Sequence, residues 1–419
     1  MSTSIRPVVL FGARLLDGRS PDAVADGVLL TDDTGRIALA GPATAASTKV
    51  AKDADRIDVT GLTVLPGIVD CHVHLSLRLE PVAEQAQRSA TDLVVRALQT
   101  GRDFLESGVT TIRDAGYTPA GIKRAFASGA FPGPRTQVSC TPLSQTGGHG
   151  DGWTQSGVVL ETEVSDLPPG VADGVDAVRR AARLQIRAGA DWIKVMATGG
   201  VLSAVDSPDA SQFTVDEIRA IVEEAKAAGI RGTFAHAEGT TGIKNALRAG
   251  ITSIEHGDLI DDEGIDMMLE RDVPLVPTFN INFALMDEGR VARGEVPPWA
   301  VEKMRYLFDR QQANFRHAIE RGVRIVMGTD SFNGMYPPAE LAYMSQFGIG
   351  PFRAIQAATC DAARLLGLAD EIGTLEPGKQ ADLIAVTGDP LAEPELWRDP
   401  ARIVLVVQGG RIVVDRRGA

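Results

Sequence analysis

Leu65-Pro-Gly-Ile-Val-Asp-Cys-His-Val-His74 is the stretch on which the reading of this chain turns. A short apolar run ends in His72 and His74, one residue apart. Alternate residues of a strand point to the same side, so both imidazoles can face one ion. Alone, His-x-His is a weak signal, and a non-metal reading explains it as well. Its meaning depends on what the rest of the chain delivers to the same place.

Working outward, short β-branched runs ending in Gly, Asp or His recur at 65–69, 110–114, 136–140, 192–196, 233–236, 253–256, 274–278 and 324–328. Helical patterns lie between them, among them 172–188, 215–228 and 243–249. Thr214 and Glu217 have the spacing of a capping box, and Gly229 sits where that helix should stop. Eight strand–helix alternations predict an α/β chain folded as a (β/α)8 TIM-type barrel. An open doubly wound sheet is the alternative, but no Gly-x-Gly-x-x-Gly opens any of the helices.

Both chain ends read differently. Residues 8–16, 27–30 and 36–40 near the start, and 381–386, 403–407 and 411–414 near the end, are β-type runs with turn signals between them. They are either two unrelated appendages or one small β-sandwich domain. Chain ends of a domain commonly lie close together, which favours one domain built from 1–62 and 372–419 around a barrel of 63–371.

Composition removes several classes. Lys plus Arg is 42 and Asp plus Glu is 55, giving a net charge of −13, so the basic field that phosphate backbones demand is missing. No polybasic cluster serves anionic lipid, and no apolar run approaches the ~20 residues of a membrane-spanning helix. Charged residues soon follow the apolar patch at 8–11, so no signal peptide is expected. Cys71, Cys140 and Cys360 are widely spaced, without a Cys-x-x-Cys pair, and read as reduced thiols of a cytoplasmic protein.

The rare residues carry the chemistry. Of 6 histidines, His72, His74, His149, His236 and His256 fall at or after the C-terminal ends of predicted strands, and only His317 lies inside a helical pattern. In a barrel those ends converge on one mouth, where active sites form. Asp330 follows the last strand in Gly328-Thr-Asp-Ser331, as a ligand or as a turn former. Lys194, in Asp191-Trp-Ile-Lys-Val-Met196, is a cation in an otherwise apolar strand. Burying it unpaired is costly, so it is either salt-bridged or chemically altered to carry an anion.

Together, His72-x-His74, Lys194, His236, His256 and Asp330 resemble the binuclear-metal members of the amidohydrolase superfamily. Gln145-Thr-Gly-Gly-His-Gly-Asp151, Ile193-Lys-Val-Met-Ala-Thr-Gly-Gly200 and Ile254-Glu-His-Gly257 are similar to its prolidase-like, imidazolonepropionase-related and ochratoxin-amidohydrolase-like group. The likeness runs over essentially the whole chain, including Gly373-Thr-Leu-Glu-Pro-Gly-Lys-Gln-Ala-Asp-Leu383. It implies that His72, His74 and Asp330 hold one divalent metal, most readily zinc, and His236 and His256 another. Lys194, carboxylated by carbon dioxide, would bridge the two as a carbamate. A metal-bridging hydroxide would then attack a C–N bond, with Asp330 moving the proton and His149 bonding the oxyanion. For His149, a loop residue in a Gly-rich turn is the alternative.

The implied substrates are small amides, N-acyl compounds, dipeptides, carbamates or aryl ureas. A cyclic amide, as for imidazolonepropionase, or an inactive binding protein are the other readings. Dipeptidase-like relatives commonly carry a carboxylate-holding tyrosine two residues after the strand-five histidine, but this chain has Glu238. Either Glu238 faces the pocket and disfavours an anionic substrate, or it caps the helix that follows. By position after their strands, Asn280, Asn282, Ser331 and Tyr336 are further substrate contacts, and 201–213 is long enough for a lid. Partners reduce to a small molecule that is not strongly anionic, with neither nucleic acid nor membrane, and a homo-oligomer is expected.

Overall fold

In the computed structural model of the chain, residues 5–43, 54–154, 156–160 and 164–418 are described. Their strands are β1 (Val8–Leu15), β2 (Val24–Thr31), β3 (Ile37–Pro42), β4 (Asp55–Asp58), β5 (Leu62–Pro66), β6 (Ile68–Val73), β7 (Val109–Asp114) and β8 (Arg135–Val138). These are followed by β9 (Trp192–Met196), β10 (Gly232–Ala237), β11 (Ser253–His256), β12 (Leu275–Val276), β13 (Leu383–Thr387), β14 (Ile403–Gln408) and β15 (Arg411–Asp415). The chain divides into two compact units, residues 1–70 with 102–112 and 336–419, and residues 71–101 with 113–335.

In the first unit one sheet takes strands from both chain ends, in the order β15-β14-β13-β5-β1-β2-β3, with β4 also paired to β1. β13 runs antiparallel to β5, with Ala385 opposite Val64, while β1 and β5 are parallel. Leu10, Leu29, Val64, Leu383 and Leu405 pack into one buried cluster.

The sequence expectation of a single strand over 65–69 is corrected here. The chain breaks at Gly67: β5 ends at Pro66 and β6 starts at Ile68. Gly67 N donates to Asp382 O at 2.9 Å, whereas Ile68 N donates to Gly108 O at 3.1 Å, so the backbone changes partners between the two residues. Pro66 brings no N–H to a ladder, and a side chain at 67 would sit 2.4 Å from Thr110 Oγ1.

In the second unit β9, β10, β11 and β12 form a parallel sheet, in which Lys194 lies opposite Phe234 and Ala237 opposite His256. β6, β7 and β8 pair in that order as a separate sheet, of which residues 71–73, 113–114 and 135–138 belong to the second unit. Isolated parallel bridges extend both: Leu143 to Val195, Leu275 to Ile325, and Val73 to Ser331. The expected strand at 324–328 is therefore a bridged segment rather than a continuous strand. It is held by Cys71 N to Met327 O at 3.0 Å and His74 N to Ser331 O at 2.9 Å. Every residue of β6, β9 and β11 is buried, as expected of parallel strands covered on both faces.

Helix Val215–Ala227 begins with the expected capping box: Thr214 N donates to Glu217 Oε2 at 2.7 Å and Glu217 N to Thr214 Oγ1 at 3.3 Å. Leu79, Val201, Ile281, Met304 and Phe332 pack together, fixing the segments that follow several strands. No helix among the described residues is long and apolar enough to cross a membrane.

Candidate functional site

The second unit brings the predicted ligands together. Ring centroids of His72 and His74 are 5.6 Å apart, His72 and His256 5.2 Å, and His236 and His256 4.6 Å. His149 stacks on His236 at 4.3 Å. His72 Nε2 lies 3.5 Å from Lys194 Nζ and 3.5 Å from Asp330 Oδ1, which is 3.1 Å from His74 Nε2. The donor atoms of His72, His74 and Asp330 all fall within 4.8 Å of one another, close enough to share an ion.

Backbone geometry at the strand exits is unusual. His256, Thr278 and Asp330 have φ of 72°, 54° and 51°, left-handed values that cost non-glycine residues energy. Local bonds hold them there: Asp330 N donates to His72 O at 2.7 Å, and His256 Nδ1 lies 2.7 Å from Thr278 Oγ1.

Burial sets the protonation states. It drives His72 and His236 well below the usual imidazole range and His256 down to about 3, with the Lys194 charge adding to the effect. Burial also pulls the Lys194 amine down to about 8, against the pull of Glu255 and Asp330. Burial alone would raise Asp330, but His72, His74 and His256 outweigh it and hold the carboxyl well below its ordinary value. The neutral rings of His72, His236 and His256 beside an ionised carboxylate are donors a divalent cation can use.

Behind this cluster lies a group the sequence reading missed. Glu255 Oε2 is 2.8 Å from His72 Nδ1, and Glu255 Oε1 accepts from Arg113 Nη2 at 2.9 Å. Arg113 also donates to Cys71 O at 2.6 Å and to Ser253 Oγ at 3.2 Å, with its guanidinium 3.9 Å from the centre of the Phe234 ring. Glu255 was visible as an acid inside a short buried strand, the same oddity that singled out Lys194.

His149 Nδ1 lies 2.8 Å from Ser203 Oγ, and its backbone N donates to Gln212 Oε1 at 3.0 Å. The segment 201–213 is strapped down by Lys303, whose Nζ donates to Gly200 O at 2.9 Å and to Ser203 O and Asp206 O at 2.6 Å each. Glu238 does not cap the next helix, whose N-cap is Gly239 without a side-chain bond. Its carboxyl is buried instead, with Oε1 3.8 Å from His236 Nε2, and burial beside Asp258 and Asp206 raises it well above the carboxylate range.

Among the other candidates, Asn280 Nδ2 donates to Ser331 Oγ at 2.9 Å. Asn282 turns to Gln311 on helix Pro298–Arg321. Tyr336 belongs to the first unit, where burial raises its hydroxyl. His317, the helical histidine, pairs with Asp262 at 2.7 Å on the surface.

Comparison with known proteins identifies the family. The amidohydrolase family model matches residues 63–413. An ochratoxinase of Aspergillus niger is 35% identical over 367 residues, covering 83% of this chain and 75% of that one. An imidazolonepropionase of Symbiobacterium thermophilum is 26% identical over 449 residues, covering 96% and 93%. The crystal structure of a Xaa-Pro dipeptidase with methionine bound in its active site is 31% identical, covers 97% and 99%, and has a TM-score of 0.87. These relatives imply a TIM-type barrel with an extra domain, and the family generally binds metal ions. The chain thus belongs to the amidohydrolase family and is a hydrolase acting on carbon–nitrogen bonds.

Proposed function

We propose that the protein is a binuclear metal-dependent hydrolase that cleaves an amide-type C–N bond of a small molecule. The observation that carries this reading is the convergence of His72, His74 and Asp330 within 4.8 Å, with Lys194 Nζ 3.5 Å from His72 Nε2. His72, His74 and Asp330 would hold one divalent ion and His236 and His256 the other, zinc suiting nitrogen and oxygen donors. Lys194 would bridge them as a carbamate. Its amine, pulled down to about 8, is in part the free base that adds to carbon dioxide, losing a proton and leaving an anionic oxygen pair. When bound, the ions would lower the pKa of a shared water and polarise the scissile carbonyl.

The chain's own residues do the rest. Asp330, kept ionised by its histidine neighbours, takes the proton of the attacking water and returns it to the leaving nitrogen. His149, held at Nδ1 by Ser203, is the residue we assign to the oxygen that gains charge. The bonded pair Asn280 and Ser331 lines the exit of the last bridged segment as a substrate contact. Buried Glu238, close to Asp258 and Asp206, disfavours an anionic substrate.

Residues 325–331 bridge β12 on one side and β6 on the other, which supports a closed (β/α)8 barrel. With it we propose the division into 63–371 and a terminal β-sandwich of 1–62 with 372–419; pairing of β5 with β13 moves the first boundary toward Gly67. A cytoplasmic homo-oligomer completes the proposal, the first supported by three free cysteines and the second open to sedimentation. Cyclic-amide hydrolysis is the second reading, favoured by likeness to an imidazolonepropionase over 96% of the chain.

The test is a panel of N-acyl amino acids, dipeptides, anilides, carbamates, ureas and cyclic amides on metal-loaded enzyme. Chelator-sensitive hydrolysis of an open-chain amide supports the main reading. Hydrolysis of the cyclic amide alone selects the second reading, and chelator-insensitive turnover removes the metals from it.

A further inference from the structure

Glu238 and Asp258 leave neighbouring strands side by side. β10 and β11 run parallel with Ala237 opposite His256. Past the strand ends the ladder continues, Gly257 N donating to Ala237 O at 3.1 Å and Leu259 N to Glu238 O at 2.8 Å. Both side chains are almost wholly buried, 4% and 3% exposed. Among the described residues Glu238 Oε2 and Asp258 Oδ1 have no hydrogen-bond partner. Stranding two buried carboxyl oxygens is costly unless a donor arrives from elsewhere.

The nearby cation does not supply it. Lys303 acts on Glu238, but its ammonium already donates to three backbone carbonyls and lies 3.4 Å from Asp206 Oδ1. Asp206 and Asp330 add further negative charge around Glu238. The other Glu238 oxygen, Oε1, lies 3.8 Å from His236 Nε2, so the carboxyl stands beside the histidine cluster.

We propose that Glu238 and Asp258 form a subsite for a primary ammonium group of the substrate, carried next to the bond that is cut. This rests on the C–N hydrolase reading and narrows its substrate to amine-bearing amides. A primary ammonium brings three N–H donors and a positive charge to two empty acceptors. A carboxylate at the same point would meet four acids, Glu238, Asp258, Asp206 and Asp330, and a neutral group without N–H donors would leave both oxygens unmet.

The experiment is calorimetric titration of the full-length, zinc-loaded enzyme at pH 6.5 with L-leucinol and with 4-methyl-1-pentanol. The two probes share a carbon skeleton and differ by the amine, and neither contains a bond the enzyme should cut. The expected result is at least a ten-fold tighter Kd for leucinol in the wild type. Glu238→Gln and Asp258→Asn, nearly isosteric, should each reduce that ratio at least three-fold with the metal content unchanged. Equal affinity in the wild type overturns the subsite, and so does a ratio unchanged in both variants. Loss of one metal equivalent in Glu238→Gln also overturns it, by assigning Glu238 to the ions. An enzyme that keeps the leucinol preference yet hydrolyses nothing in the panel supports the subsite and sinks the hydrolytic reading. Amide hydrolysis without the preference sinks the subsite alone.

Discussion

His72 Nδ1 donates to Glu255 Oε2 at 2.8 Å, and this bond decides which nitrogen of the ring faces Asp330 and Lys194. A carboxylate can only accept, so the proton sits on Nδ1 and the Nε2 lone pair is left toward Asp330 and Lys194. Arg113 Nη2 pairs with Glu255 Oε1 from behind at 2.9 Å. Glu255→Gln keeps the shape but removes the charge, and it should weaken metal affinity about 10- to 100-fold. Competition with a chelator at equilibrium measures this; unchanged affinity would leave Glu255 a packing residue. Arg113→Leu strands the buried Glu255 charge and should cost about 3–5 kcal/mol of stability, read by denaturant unfolding.

Lys194→Ala should lose most activity and lower the metal content. Excess short-chain carboxylate is expected to restore part of both, since it can supply the missing bridging oxygens. Wild-type turnover with two metals in this variant would remove Lys194 from the bridge.

Gly200 makes room for His149. A Cβ at position 200 would lie 2.3 Å from His149 Cε1, so Gly200→Ala must push the ring off its stack with His236. A fall in kcat of about 10²- to 10³-fold is expected, the usual cost of losing one oxyanion donor. His149→Ala should fall equally, and the double variant no further, because both act through one ring. Additive losses would contradict a shared route.

Thiol chemistry gives a test away from the centre. Burial pushes the Cys140 thiol up to about 12, so its thiolate is scarce at pH 8. Iodoacetamide should leave Cys140 unmodified in the native protein and label it after unfolding, as counted by mass spectrometry. Rapid native labelling would contradict its burial.

Much of the site was legible because its residues are rare or misplaced by composition. Histidines at strand ends and a lysine in an apolar strand are hard to explain otherwise, and the structure gathers them. Glu255 escaped because an acid beside His256 in Ile254-Glu-His-Gly257 reads as part of the motif rather than as the orienting partner of a residue 183 positions away. Asn282 looked like a pocket residue by its position after a strand, but it turns to Gln311, a pairing set by helix packing. The order of the terminal sheet, with β13 inserted beside β5, depends on long-range pairing that periodicity does not encode. Pro66-Gly67 did mark a break, yet the apolar run around it masked the change of partners.

The central claim is that two metal ions act together at His72, His74, Lys194, His236, His256 and Asp330. Its most direct test is titration of chelator-stripped enzyme with zinc in the presence of bicarbonate, following bound metal and turnover together. The account predicts that activity on a cleavable amide rises to its plateau only as the second equivalent per chain binds. Full activity at one equivalent, or in the stripped enzyme, would contradict it.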